Sequence, residues 1–386
     1  MGAIEADTLP PKKPHRSATH SPSVRYSAKR MERAGMVTNS GPTLAAAFAT
    51  LLLTASAAIS AANAQETTPP PGDEPATSGP AIGFWIDNDL FGGGTDRYYT
   101  NGFQFYYFSG ARPTYGNIDW LANLVPWIEP GGVRRYGFAF GQNMYTPSNL
   151  TARNPDPRDR PYAGWLYGRL SVLNEAPTAV DRFDLDLGMV GPASLAEQTQ
   201  KTVHKIVDGA TYPEGWNYQL RDEPGVVLSY EHVWRDEKPN SLGPVEWDFS
   251  PHVAGSLGNV LTFAAAGATV RLGGNMPPPV GALVNRPTSS IPYQDNPYSE
   301  RPGRFSWYVY ASAEGRAVVR NIFLDGNTFR ESRSVAKHPF VGSMQAGLTL
   351  RYGRYGLTYA QTLQTPEFHG QKSLTNYGSL RLSVQF

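Results

Sequence analysis

From position 81 to the end of the chain, apolar and polar residues alternate in short runs separated by Gly, Pro, Asn and Asp. In the segment 183–187 the two carboxylates fall on one face and the apolar side chains on the other. A period of two residues predicts β-strands with one polar and one apolar face. Twelve strands are predicted, at 81–89, 98–108, 134–145, 164–175, 181–190, 225–236, 246–257, 260–273, 305–319, 340–352, 354–364 and 376–386.

One segment, 194–207, has a helical period instead. Its apolar residues fall broadly on one side (Leu195, Val203, Ile206) and a polar row on another (Glu197, Gln200, His204). A short helix with a polar row that ends in histidine is not needed to build a sheet. We therefore predict an inserted helix at the rim of the fold.

The predicted strands favour a closed antiparallel transmembrane β-barrel of about twelve strands. The mean hydropathy of −0.39 disfavours a bundle of membrane-spanning helices, whereas a barrel averages apolar lipid-facing and polar lumen-facing residues. Closure follows because lipid leaves no partner for an unpaired strand edge. The last strand ends in Phe386, which resembles the C-terminal signature of bacterial outer-membrane barrels. A soluble β-sandwich or a periplasmic barrel shares the alternation and stays open as an alternative.

Aromatic residues near the predicted strand ends are expected to form girdles at the two membrane interfaces. The nine candidates are Trp85, Tyr98, Tyr99, Trp165, Tyr167, Trp234, Trp247, Trp307 and Tyr308.

The first 64 residues read as an exported leader. Basic residues precede an Ala/Leu-rich apolar run at 44–59, and Ala62-Asn63-Ala64 forms a small-residue cleavage site. A membrane anchor is the alternative interpretation, and the long extension suggests that translation starts at Met31 or Met36. Residues 65–80 have the composition of a Pro-rich linker, so residues 81–386 are the predicted barrel domain.

Charge and cysteine content narrow the function only slightly. Lys plus Arg number 34 against 33 Asp plus Glu, so nucleic acid is not an expected partner. The chain has no cysteine, which excludes disulfides and thiolate chemistry. A monomer is expected.

Three segments concentrate the residues that could perform chemistry. The first contains Asn88-Asp89 and, after a glycine run, the motif D-R-Y-Y-T-N-G at 96–102. The second contains G-Q-N-M-Y-T-P at 141–147, leading to D-R-P-Y-A-G-W at 159–165. The third contains Gly191-Pro192 followed by the Q-x-x-x-H spacing at 200–204.

This combination resembles the lipid A 3′-O-deacylase (LpxR-type) family of outer-membrane barrels, over essentially the whole chain after the linker. The resemblance implies a twelve-stranded barrel that depends on Ca²⁺ and removes the 3′-linked acyloxyacyl chain of lipid A in the outer leaflet. Residue by residue, the essential Asn-Asp pair of the family matches Asn88 and Asp89. Its essential Thr matches Thr100, and its catalytic His, with Gln four residues earlier, matches His204 and Gln200.

The family pattern also has a functional Glu six residues after the His, and that position is Ala210 here. Glu214 or Glu197 could supply the carboxylate instead, and a degenerate, inactive member is a further alternative.

The chemistry of these residue types agrees with ester hydrolysis. A neutral imidazole such as His204 suits a general base, and the Asn88 amide could donate to the developing oxyanion. Asp89, Thr100 and Gln200 offer the hard oxygen ligands that Ca²⁺ prefers. No Ser lies in a nucleophile-elbow motif, which favours direct attack by water. The expected site lies near the extracellular rim and opens sideways to lipid A in the outer leaflet.

Each residue also has a simpler interpretation. Asn88 and Asp89 are favoured in turns, Thr100 is a good strand former, and His204 could be an ordinary surface histidine. Asp159 and Arg160 are expected to form an ion pair that pins a loop. Two other functions remain open: a passive porin or channel, and a phospholipase-type hydrolase of the outer membrane.

Overall fold

The computed structural model describes residues 79–91, 98–112, 128–129, 132–206, 211–279, 281–284, 286 and 305–386. The predicted leader (1–64) and almost all of the predicted linker (65–80) lie outside these residues. Everything described belongs to one compact unit. Within the described segments, no helix combines the length and the hydropathy needed to cross a bilayer.

Thirteen antiparallel strands are described in one sheet. They are β1 (Ala81–Asn88), β2 (Tyr98–Phe108), β3 (Val133–Thr146), β4 (Ala163–Glu175), β5 (Ala179–Val190), β6 (Glu223–Trp234), β7 (Asn240–Leu242), β8 (Val245–Gly258), β9 (Leu261–Gly274), β10 (Phe305–Asn321), β11 (Phe340–Tyr352), β12 (Tyr355–Gln364) and β13 (Thr375–Gln385). Strand β1 pairs with β13, and β6 pairs with β8, so the sheet closes on itself. Twelve strands form the barrel wall, which confirms the predicted fold class.

The predicted strand boundaries agree with the observed ones to within two residues at either end. The sequence did not predict β7, which among the described strands pairs only with β8 and extends it as a hairpin outside the closed wall. The predicted helix is α1 (Ala196–Ile206), and a second, one-turn helix is α2 (Ile322–Asp325). Strands β1, β3 and β5 end, and β2, β4 and β6 begin, at the same end of the barrel as α1, which we call the helix end. Strand β1 begins and strand β13 ends at the opposite end of the barrel.

Alternation along each strand separates an outward and an inward face. On β3, Phe138 and Phe140 are exposed outward, whereas Arg135 is buried inside. On β5, Asp184 and Asp186 are buried, and Leu187 is exposed, as the sequence predicted. An outward apolar surface and a polar lumen are the arrangement expected of a barrel in lipid.

The predicted aromatic girdle was mostly wrong. Trp234, Trp247 and Trp307 are exposed on the outward face. The other six are buried, namely Trp85, Tyr98, Tyr99, Trp165, Tyr167 and Tyr308. Because successive residues of a strand point to opposite faces, proximity to a strand end does not place an aromatic ring at the interface.

Buried ion pairs fill much of the lumen. Arg169 pairs with Asp186 at 2.5 Å, and Arg271 with Asp248 at 2.5 Å. The segment that follows β9 turns into the lumen, where its Arg286 is buried. Arg286 pairs with Glu231 of β6 and Glu314 of β10, and Arg182 pairs with Asp184 within β5. The lumen is therefore a packed polar interior over the described residues rather than an open aqueous channel.

Candidate functional site

Two polar side chains lie on the outward face of β3 at the helix end. Phe138 and Phe140 face outward, so the alternation places Gln142, Met144 and Thr146 on the same face. Yet Gln142 is only 2% exposed and Thr146 is fully buried. An outward position in a lipid-facing wall becomes buried only when another part of the chain covers it.

The cover is α1 together with the short turn Trp216–Tyr218. The side-chain amide of Gln142 donates to the carbonyl oxygen of Ser194 at 2.6 Å, just before α1. Met144, Ala196 and Trp216 belong to one buried apolar cluster, which also contains Leu150 and Tyr162. The start of α1 therefore packs against the outside of the barrel wall.

Close approach of the helix depends on a glycine of β4. Gly164 lies opposite Met144 on the outward face. A Cβ at this position would come closer than 3.0 Å to the side chains of Ser194 and Ala196. Only a residue without a side chain lets the segment that starts α1 lie this close to the sheet.

The helix turns its polar row towards the wall and its apolar residues away from it. Gln200 is buried, and its Oε1 accepts a hydrogen bond from the indole Nε1 of Trp216 at 2.7 Å. Its Nε2 is buried and has no hydrogen-bond partner among the described residues. Leu195 and Ile206 are 52% and 58% exposed. A helix that exposes its apolar side at the edge of a lipid-facing wall suits contact with acyl chains rather than with water.

His204 is held in one orientation by the backbone. Its Nδ1 lies 2.6 Å from the carbonyl oxygen of Thr211. Since a carbonyl oxygen only accepts, Nδ1 must carry the proton. In this tautomer of the neutral imidazole, Nε2 has the lone pair that can accept a proton, as a general base requires.

Thr100 reaches the outward face through an irregularity in β2. The register between β2 and β3 shifts between Tyr99 and Asn101, as in a β-bulge. Tyr99 packs inward on Tyr145, whereas the Thr100 hydroxyl lies 2.5 Å from that of outward-facing Thr146. Both threonine side chains are buried.

The Asn88-Asp89 pair is split between two environments. Asn88 is the last residue of β1 and lies opposite Asn101, which in turn lies opposite outward-facing Met144. Residues directly opposite share a face, so the Asn88 side chain belongs to the outward row. Asp89 begins a 3-10 turn, and its side chain is buried.

The preceding carboxylate, Asp87, has a structural role inside the barrel. It accepts hydrogen bonds from the hydroxyls of Tyr99 at 2.7 Å and Ser379 at 2.6 Å, and from the indole of Trp85. Its oxygens are committed to tying β1 to β2 and β13.

The predicted site residues thus fall into two groups. Asn88, Asp89 and Thr100 lie at the helix end of β1 and β2, and Gln200 and His204 lie on α1. Strand β3 connects the two groups, because Thr146 contacts Thr100 and Gln142 holds the start of α1.

The sequence analysis gave no role to three polar residues of this surface, although they lie in the segments that it singled out: Asn101, Gln142 and Thr146. A signal was present, because the alternation of Phe138 and Phe140 continues into Gln142 and Thr146 at positions where lipid contact requires apolar residues.

The donor chemistry fits a hard cation in kind. Asp89 offers a carboxylate, and Thr100 and Thr146 offer hydroxyls, all of which are oxygen donors of the type Ca²⁺ prefers. No group of three His, Cys, Asp or Glu side chains arranged to hold a metal occurs among the described residues. A Ca²⁺ here would therefore draw on neutral oxygens, water or substrate for most of its six to eight ligands.

Neither alternative carboxylate stands free for such a site. Glu214 accepts from the Arg153 guanidinium at 2.5 Å, and Glu197 pairs with Lys201 at 2.5 Å on the surface of α1. Position 210, where the family pattern has Glu and this chain has Ala, lies outside the described residues.

The predicted Asp159–Arg160 ion pair was wrong. Asp159 instead accepts from the backbone and hydroxyl of Ser148 at 2.8 and 2.5 Å, which closes its own loop. The fully buried Arg160 pairs with Glu367 at 3.1 Å and lies over the ring of Tyr145. The two residues pin different parts of the structure, because adjacent side chains here point in different directions.

The same loop holds a second, exposed ion pair. Hydrogen bonds from Arg158 lower the pKa of Asp156 to about 2. The contact within this loop therefore does not titrate near neutrality.

Comparison with known proteins agrees with the fold. The family model described as outer membrane protein LpxR matches residues 47–386. Among solved structures, LpxR from Salmonella typhimurium superposes with a TM-score of 0.63 at 20% identity, covering 79% of this chain and 100% of that one. The β domain of the Bordetella autotransporter BrkA has a TM-score of 0.38 at 10% identity, covering 81% and 99%. No curated protein sequence matches the chain.

Proposed function

Because the chain belongs to the LpxR family of outer membrane proteins, we propose that it hydrolyses the 3′-linked acyloxyacyl ester of lipid A at the outward surface under α1. The family places the barrel in the bacterial outer membrane, where lipid A forms the outer leaflet. The resemblance of the motifs to lipid A 3′-O-deacylases supplies the reaction.

The observation that supports this function most is the position of the polar side chains on the outward face of β2 and β3. Buried polar side chains on the outward face of a lipid-facing wall are costly unless they are hydrogen-bonded, and Oε1 of Gln142 has no hydrogen-bond partner among the described residues. Gln142 lies there beneath the start of α1, which exposes Leu195 and Ile206, and the Thr146–Thr100 pair lies further along the same face. A lipid could place its acyl chains against the apolar side of α1 and its ester linkage at these polar side chains without leaving the membrane.

Hydrolysis would use His204 as the general base. As water attacks the ester carbonyl, Nε2 accepts a proton from it, and the hydrogen bond from Nδ1 to Thr211 orients the ring. The proton then passes to the sugar oxygen that leaves when the carbonyl–oxygen bond breaks. The Asn88 amide would donate a hydrogen bond to the oxyanion that forms at the carbonyl oxygen.

We propose Asp89, Thr100 and Gln200 as the residues that hold Ca²⁺. Oε1 of Gln200 already accepts from Trp216, and a carbonyl oxygen has a second lone pair for a cation. A bound Ca²⁺ would supply positive charge that favours the negatively charged transition state. The Trp216 contact would meanwhile fix the Gln200 side chain at the wall.

The test is mass spectrometry of lipid A from cells that express the protein or its variants. His204→Ala removes the base and should lower the deacylation rate by about 10²–10⁴-fold. His204→Asn retains an N–H donor for Thr211 without a basic nitrogen and should be equally inactive. His338→Ala, at the same end of the barrel, is the matched control and should behave as wild type.

Chelation of Ca²⁺ should abolish the loss of the acyloxyacyl unit, and added Ca²⁺ should restore it. Unchanged lipid A in cells with the wild-type barrel folded in the outer membrane would overturn the proposal. Release of fatty acid from glycerophospholipid instead would identify a phospholipase.

A further inference from the structure

The lumen contains a partly apolar cavity at the helix end, separate from the outward surface under α1. It has a volume of about 400 Å³ including its mouth. Five of its lining residues are apolar, namely Leu261, Phe263, Val318, Phe323 and Val341. Barrel lumens in membranes are polar, so an unfilled apolar wall inside one is unusual.

A buried cation borders the same cavity. Arg316 is 7% exposed, and its Nη2 donates to Ser343 at 2.9 Å and to Gln364. Its Nε has no hydrogen-bond partner among the described residues. The nearest carboxylate oxygen, of Glu314, lies 3.7 Å away, beyond hydrogen-bond distance. A buried guanidinium N–H without an acceptor is costly and suits an anion.

The carboxylates near this cavity are paired with other arginines. Glu367, which lines it, accepts from Arg160 at 3.1 Å. Glu314 accepts from Arg286 and lies 3.0 Å from His252. An incoming anion at Arg316 would therefore not face an uncompensated negative charge.

We propose that this cavity binds the carboxylate end of a single-chain fatty acid. Nε of Arg316 donates to the carboxylate, and the apolar side chains contact the first carbons of the chain. Much of this volume is the open mouth, and the enclosed part has room only for a carboxyl group and the first carbons of one chain, which excludes a lipid of several chains. The inference does not depend on the proposed hydrolysis, because no residue of the cavity belongs to the outward surface.

The experiment uses the full chain in lipid nanodiscs and decanoate labelled with ¹³C at its carboxyl group. We expect a saturable carboxyl resonance that is absent from empty nanodiscs, at one equivalent per barrel. Arg316→Gln should weaken binding about tenfold or more, since it removes a charge-assisted hydrogen bond. Arg316→Lys, which keeps the charge, should bind better than Arg316→Gln.

A second pair of variants tests the cavity rather than the charge. Val341→Trp fills the cavity and should abolish the resonance. Val319→Trp places the same bulk on an exposed neighbouring position and should not. These two decide the matter if Arg316→Gln does not fold.

His204→Ala separates this site from the proposed active site. It should bind decanoate as the wild type does, whatever its effect on lipid A. Absence of the bound resonance in wild type, equal binding by Arg316→Gln or Val341→Trp, or loss of binding in His204→Ala would each overturn the proposal.

Discussion

The hydroxyl oxygens of Thr100 and Thr146 lie 2.5 Å apart, each from a different strand of the wall and both buried on its outward face. One hydroxyl can donate to the other, and the acceptor still has a proton and a lone pair to offer elsewhere. Two hydroxyls in this position are a ready source of oxygen ligands or hydrogen bonds for a polar group that arrives from the membrane side.

Thr100→Val should lower deacylation by at least about tenfold while the barrel still folds. Valine keeps the shape and the branched side chain but removes the oxygen that we propose as a ligand. Thr358→Val is the matched control, because Thr358 and Thr349 form a similar buried hydroxyl pair, at 2.9 Å, elsewhere in the barrel. Lipid A mass spectrometry and heat-modifiable gel migration measure activity and folding. Equal activity of the two variants would exclude a functional role for the Thr100 hydroxyl.

Gly164→Ala should displace α1 and reduce activity, since the new methyl group would overlap Ser194 and Ala196. Overpacking of this kind typically costs ~1–3 kcal/mol, and the helix is the part that can move. Gly168→Ala is the matched control on the same face of the same strand, where the nearest heavy atom to the new Cβ is 4.0 Å away. A Gly164→Ala protein as active as Gly168→Ala would show that close packing of α1 is not required.

Asp89→Asn should abolish stimulation by Ca²⁺, because it removes the only carboxylate that we propose for the site. Glu214→Gln and Glu197→Gln should respond to Ca²⁺ as wild type does, since their carboxylates are engaged by Arg153 and Lys201. The measurement is the deacylation rate as a function of Ca²⁺ concentration for each variant. A weaker response in either glutamate variant would identify that residue as the substitute for the carboxylate missing at position 210.

The sequence could predict the barrel because a period of two residues is a local signal, repeated in twelve segments. The site was harder, because it depends on relationships between segments. Thr100 reaches the outward face through a register shift that no residue type announces. Arg160 pairs with Glu367, 207 positions away, rather than with the adjacent Asp159.

The orientation of α1 against the wall also could not be predicted from the sequence. Its existence and its polar row, with Gln200 and His204, could be predicted from spacing alone. The sequence did not reveal that the polar side faces the outside of the wall while Leu195 and Ile206 remain exposed. In a water-soluble protein the apolar side would pack inward, so the observed orientation makes sense only where lipid replaces water.

Arg286→Met should destabilise the barrel. Arg286 pairs inside the lumen with Glu231 at 2.5 Å and with Glu314. Removing it leaves two buried carboxylates short of a cation, and breaking a buried pair in this way costs ~3–5 kcal/mol. Guanidinium unfolding of the barrel in lipid vesicles should show a clearly lower midpoint. Arg158→Met, which breaks an exposed pair with Asp156, should leave the midpoint unchanged.

The wild type should not conduct as an open porin, since the ion pairs that cross the lumen block a water-filled path. Conductance measurements in planar bilayers test this prediction. Large, steady conductance steps from the wild-type protein would contradict this packing and restore the channel as a function.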